Sequence, residues 1–187
     1  MSSIAVTASA TGTGSVTLLA PNTNSMQTLT LPDATGTVLS TATPGVPING
    51  PAFSAYQSSA QTVSSSVLTK IQFQTKEFDT NNCYDSVTNY RFTPTVAGYY
   101  QITWRVGSAS VNTEVYSVLY KNGVTFKYAL DISGATIFGS GATSLAYANG
   151  STDYFEIYWS QNTGAVRNIT ANSTETYFQA AMVRSAI

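Results

Sequence analysis

Two pairs of acids, Asp79 with Asp85 and Asp153 with Glu156, are the residues of this chain best placed by type to do chemistry. Paired carboxylates cleave glycosidic bonds when one serves as general acid and the other as base or nucleophile. Loop acids far more often accept backbone N–H groups and cap turns, and that reading is preferred for all four. There is no histidine, which removes the commonest general base, the commonest zinc ligand and every Ser-His or Cys-His nucleophile. Cys83 is the single cysteine, so no disulfide forms within the chain, and no cationic neighbour in sequence activates its thiol. It reads as a packed or loop residue. Asn149-Gly150-Ser151, Asn168-Ile169-Thr170 and Asn172-Ser173-Thr174 fit the glycosylation pattern, but in a Ser/Thr-rich chain they are expected by chance. The twelve tyrosines offer rings to stack on sugars, although core and subunit contacts have first claim on them. The expectation is a protein that is not an enzyme, with no cofactor and no metal site.

Composition narrows the remaining classes. A formal charge of −1 with 9% charged residues excludes a polybasic nucleic-acid surface and a charge-driven membrane patch. No apolar run approaches the roughly 20 residues of a membrane span. Met1 to Gly14 has neither a basic start nor a hydrophobic middle, so the expectation is assembly in a cytoplasm. At 43% hydrophobic and 12% aromatic residues the chain is too apolar for disorder. Low charge with β-branched and aromatic richness suits an all-β protein that buries much surface between subunits.

The elements that must position these residues fall into two regions. Residues 1–14 are small and polar, suited to an extended arm. Residues 15–40 alternate, turn and alternate again, as in Thr28-Leu29-Thr30-Leu31. A lone two-stranded ribbon is marginal in water, so these strands need apolar surface from elsewhere. "STATPGVPINGP", Ser40 to Pro51, is a stiff connector and sets the expected boundary between an N-terminal foot, 1–48, and a head, 49–187. From Ala52 onward, short strands separated by turns are expected at 52–56, 66–74, 89–93, 98–107, 114–121, 124–130, 142–148, 153–160, 165–170 and 175–184. Asn122-Gly123 is the strongest hairpin signal. This rhythm predicts a sandwich or jelly roll.

Several of these strands are apolar on both faces. Tyr100, Ile102, Trp104 and Val106 face inward in one; Val115 and Leu119, and Phe155, Ile157 and Trp159, do so in two others. Tyr116, Val118, Tyr120, Tyr154 and Tyr158 then face outward, where a water-facing strand should be polar. These five are the candidate subunit interface of the head.

Four stretches carry a resemblance. They are Tyr84-Asp85; Asn89-Tyr90-Arg91-Phe92-Thr93; Val96-Ala97-Gly98-Tyr99-Tyr100; and the hairpin Val118-Leu119-Tyr120-Lys121-Asn122-Gly123. With Phe155, Ile157 and Phe178 following in order, residues 52–184 resemble the C1q/TNF-like jelly-roll family. The resemblance implies a ten-stranded jelly roll with Phe92, Tyr100 and Phe155 as inward anchors and Gly98 allowing the turn before Tyr100. It also implies a compact homotrimer. Calcium sites known in some members find no matching carboxylate cluster here.

The N-terminal "VTL…P…LTLP…TGTVLS" is similar to a pattern in fibre and appendage proteins of tailed-bacteriophage virions. It implies a foot in which three copies bury Val16, Leu18, Leu29, Leu31 and Val38 against their equivalents. On this reading the chain is a virion structural protein. A long tail shaft does not fit in 187 residues. A capsid decoration (cement) protein or short head fibre does, fastened by its N-terminus to the major capsid protein or another virion protein. The alternative is a tail-fibre or receptor-binding head that recognises a host surface glycan or protein.

Overall fold

The computed structural model describes residues 50–111, 114–131 and 137–186, together with Asn24. The chain divides into one unit at Met1–Thr37 and another at Val38–Ile187. The expected foot, with Val16, Leu18, Leu29, Leu31 and Val38, and its boundary at 48/49 lie outside the described residues.

The described residues hold thirteen strands. They are β1 (Ala52–Tyr56), β2 (Gln61–Val63), β3 (Thr69–Lys70), β4 (Thr75–Asp79), β5 (Tyr84–Asp85), β6 (Arg91–Phe92), β7 (Ala97–Val111), β8 (Val115–Lys121), β9 (Val124–Asp131), β10 (Ile137–Asn149), β11 (Phe155–Gln161), β12 (Arg167–Ile169) and β13 (Tyr177–Ser185). All pair antiparallel, in two sheets. One runs β2-β12-β7-β13-β1-β4, with β10 also paired to β7; the second runs β5-β6-β11-β8-β9, with β3 also on β11. This is the expected all-β sandwich, with more strands than the ten anticipated: several of two or three residues, and two, β7 and β10, longer than expected.

Side-chain alternation builds the core. Tyr100, Ile102, Trp104 and Val106 of β7, Leu119 of β8, and Phe155, Ile157 and Trp159 of β11 are all buried in one cluster. Aromatic rings fill one end. Phe53 stacks on Tyr84 at 4.6 Å between centroids and meets Phe178 edge-on at 5.0 Å. Phe92 packs against Tyr100 and Phe155, so the three anchors implied by the resemblance meet in one cluster. A buried ring that carries a polar atom needs a partner for it, and two of the largest have one. Trp104 Nε1 donates to Ser117 Oγ at 2.8 Å, and Tyr100 OH donates to the Val96 carbonyl at 2.6 Å.

Three expectations shift. The strand expected at 66–74 shrinks to β3, while Ile71 and Phe73 stay buried outside any strand. The neighbouring β2 and β4 form instead; β4 reads as a loop because Lys76, Glu77 and Asp79 crowd it, yet charge is what an edge strand carries. Gly98 makes no turn. It sits inside β7, where an added Cβ would lie 2.5 Å from the Arg184 carbonyl oxygen, so it is needed for close approach of β13.

Candidate subunit interface and ligand face

The acids singled out by type are all engaged locally. Asp85 accepts backbone N–H groups from Val87, Thr88 and Asn89, which hold its carboxyl down at about 2. Burial works against the Asp79 carboxylate, but N–H donors from Cys83 and Tyr84 keep it below the ordinary range. Asp153 is held low in the same way: its partial burial is outweighed by Asn122, Lys121 and the Asn149 N–H. None of these three is an acid raised to hold a proton at neutral pH. Burial and the Asp79 hydrogen bond push the Cys83 thiol up to about 12, which leaves it protonated and unreactive. Asn149 and Asn172 accept N–H groups of the residues that follow them, as turn residues do.

Two outer faces remain, one on each sheet. On the second sheet the structure brings together the residues expected there. Cross-strand register places Glu156 beside Tyr120 and Tyr158 beside Val118, with Tyr128 of β9 next to Val118. Tyr120 and Tyr158 pack at 4.4 Å, and Tyr116 and Tyr128 stack at 5.0 Å. Tyr154 lies under the Arg91 guanidinium at 4.3 Å. Val118 sits between these rings in the register but is only 1% exposed. It supports the tyrosines and has no surface for a contact of its own, a correction to its expected role at the interface.

The same face hides a charge cluster. Glu156 accepts from Lys70 Nζ at 2.8 Å, and Arg91 Nε lies 3.3 Å from the same oxygen. The Glu156 side chain is 4% exposed, against 30% for Lys70 and 29% for Arg91. Tyr158 OH donates weakly to the other Glu156 oxygen at 3.4 Å. Burial and this carboxylate push the Tyr158 phenol up to about 12, and burial raises Tyr128 as well. Both phenols therefore carry their protons at neutral pH.

The outer face of the first sheet is different, and the chain's alternation points to Tyr99 alone among its exposed apolar residues. Register aligns Leu145, Gln101, Ala181 and Ala52 in one row across β10, β7, β13 and β1. Beside it Tyr147 meets Tyr99, their rings 5.6 Å apart. The next row is Thr143, Thr103, Gln179, Ser54 and Phe78. Leu145 is 63% exposed, and Tyr99, Tyr147, Val183 and Phe78 are each about half exposed. Open grooves run between them, lined by Tyr99, Leu145, Tyr147 and Val183 at one end and by Phe78, Gln101 and Val183 further along. Arg105 stands in the row beyond, opposite Gly141 and Tyr177. Met182 N–H donates to the Pro51 carbonyl, so the chain enters the sheet at the apolar end. The alternation of β7 signals Tyr99, but only the register shows that Leu145, Tyr147 and Val183 gather around it.

No protein-family profile matches the chain, and no curated protein matches it. Solved structures do. Murine APRIL at pH 5.0 superposes with a TM-score of 0.57 at 8% identity, over 72% of this chain and 99% of that one. Eiger TNF from S. frugiperda superposes with a TM-score of 0.54 at 11% identity, over 78% of this chain and 96% of that one. At such identities the likeness speaks for architecture alone, and it establishes the fold of the head as an all-β, TNF-like jelly-roll sandwich.

Proposed function

We propose that the chain is a homotrimeric virion structural protein, a capsid decoration protein or short head fibre fastened through residues 1–48. The observation that carries the self-association is the apolar strip of Leu145, Tyr147, Tyr99 and Val183 at the end where Pro51 joins the sheet. Exposed apolar side chains gathered on one side of a soluble domain mark a surface meant to be covered. We assign the contact between heads to this face. The tyrosine face packs most of its rings against one another or against a cation, and its exposed apolar residues, Tyr128 and Leu130, are confined to the β9 edge. The virion location rests on the N-terminal sequence pattern and on the need of its leucines for neighbours.

The test is particle stability. Capsids lacking the protein should lose heat or osmotic tolerance and regain it when purified protein is added; equal tolerance with and without it counts against the cement role. Leu29→Asp with Leu31→Asp should abolish attachment while the head keeps its circular dichroism spectrum. Normal occupancy of that variant would refute the foot.

A further inference from the structure

We propose that each copy plugs its neighbour: Phe78, on the edge strand β4, seats in the groove formed by Tyr99, Leu145, Tyr147 and Val183 of the next copy, and Glu77 meets Arg184 on that groove's rim. This arrangement rests on the assignment of the head contact to the outer face of the first sheet. Both halves are built by breaks in strand register. On β4 the pairing runs from Ser54 with Phe78 to Ala55 with Lys76, which leaves Glu77 as an extra residue. Such a bulge re-aims side chains. Ser54 belongs to the outward row, and its hydroxyl donates to Glu77 Oε2 at 2.6 Å, so the carboxylate stands on that face beside Phe78. On β13 the register shifts between Met182 and Arg184, with Val183 the extra residue, and Val183 and Arg184 both line the groove.

The two halves match in shape and in charge. Phe78 is 51% exposed, whereas Phe53, Phe73, Phe92, Phe155 and Phe178 are fully buried. The groove, of about 630 Å³, has room for such a ring. Among the described residues the ion pairs use Lys70, Lys76, Arg91 and Lys121, so neither Glu77 nor Arg184 is in one. Lys76, next to Glu77, is committed to Asp79. No acid lines the groove below Arg184. A second copy supplies the missing partner to both charges at once, and opposite charges beside an apolar anchor fix the register of a contact. Plug and groove are different patches, so the contact runs head to tail and closes as a ring, as a homotrimer requires.

Dilution of full-length protein, followed by light scattering, gives the concentration at which three copies separate. Phe78→Ala should raise it about thirtyfold, the scale of a central aromatic anchor. Glu77→Arg and Arg184→Glu should each raise it about tenfold, and joining both in one chain should bring it back to within about threefold of the native value. Both charges are exposed, and recovery in the double variant is a result that misfolding does not produce. Leu145→Asp separates the two ways of failing. If it dissociates the copies while Phe78→Ala and both reversals change nothing, the face is the contact and the plug is overturned. If Leu145→Asp also changes nothing, the contact lies elsewhere and both fall. Reversals that weaken association without recovery in the double variant overturn the pairing of Glu77 with Arg184.

Discussion

Asp85 shows how much of the chemistry in this chain is devoted to holding loops. Its carboxylate gathers the N–H groups of Val87, Thr88 and Asn89 and titrates at about 2. An unfolded aspartate titrates near 3.9. The folded state therefore prefers the charged form, and the stabilisation is complete above about pH 4 and fades as pH falls towards 2. Asp85→Asn should cost about 1 kcal/mol at neutral pH, a modest value because the group is partly exposed. In thermal unfolding scans the gap between variant and native protein should close between pH 4 and pH 2. A gap that persists at pH 2 would mean that the carboxamide fails sterically rather than electrostatically.

At the scale of elements, close backbone approach decides which positions tolerate change. Gly98 lies close to the Arg184 carbonyl where β13 pairs with β7 past an irregularity, and an added methyl group meets backbone at 2.5 Å. Gly98→Ala should cost about 2 kcal/mol, seen as a lower urea midpoint with an unchanged slope. Gly164, with open space around it but φ at +78°, should lose only about 1 kcal/mol on the same substitution. Elements with a long period-two pattern, β7, β8 and β11, were legible in the sequence, as was the Asn122-Gly123 turn, whose residues both adopt positive φ. Two- and three-residue strands such as β5 and β2 carry no period to read, and Phe73 is buried by the sheets around it rather than by a strand of its own. The tyrosine face was legible because its residues recur on neighbouring strands. The apolar face was not, because Leu145 and Val183 belong to ordinary alternations that only cross-strand register places beside Tyr99.

For the whole molecule, the two faces differ in where their exposed apolar side chains lie. The tyrosine face pairs Tyr120 with Tyr158 and holds Glu156 under two cations, and its half-exposed apolar residues, Tyr128 and Leu130, lie at the β9 edge. The other face leaves Leu145, Val183, Tyr99 and Tyr147 open around a groove, with hydroxyls of Thr103 and Thr143 bonded to each other beside them at 2.9 Å. Apolar area removed from water contributes about 25 cal/mol per Å², and the gain falls to whichever face is covered by another copy. A carboxylate placed in that strip would have to lose hydration on association, a penalty that Arg184 on the rim of the same groove offsets only in part, so assembly should be disfavoured. Leu145→Asp should therefore lower the mass measured by light scattering from three copies to one. Leu145 sits at a solvent-facing position of its strand, so the circular dichroism spectrum should not change. Tyr116→Asp, on the opposite sheet, should leave the mass at three copies. The reverse pattern, with Tyr116→Asp dissociating the particle and Leu145→Asp leaving it whole, would move the subunit contact to the tyrosines.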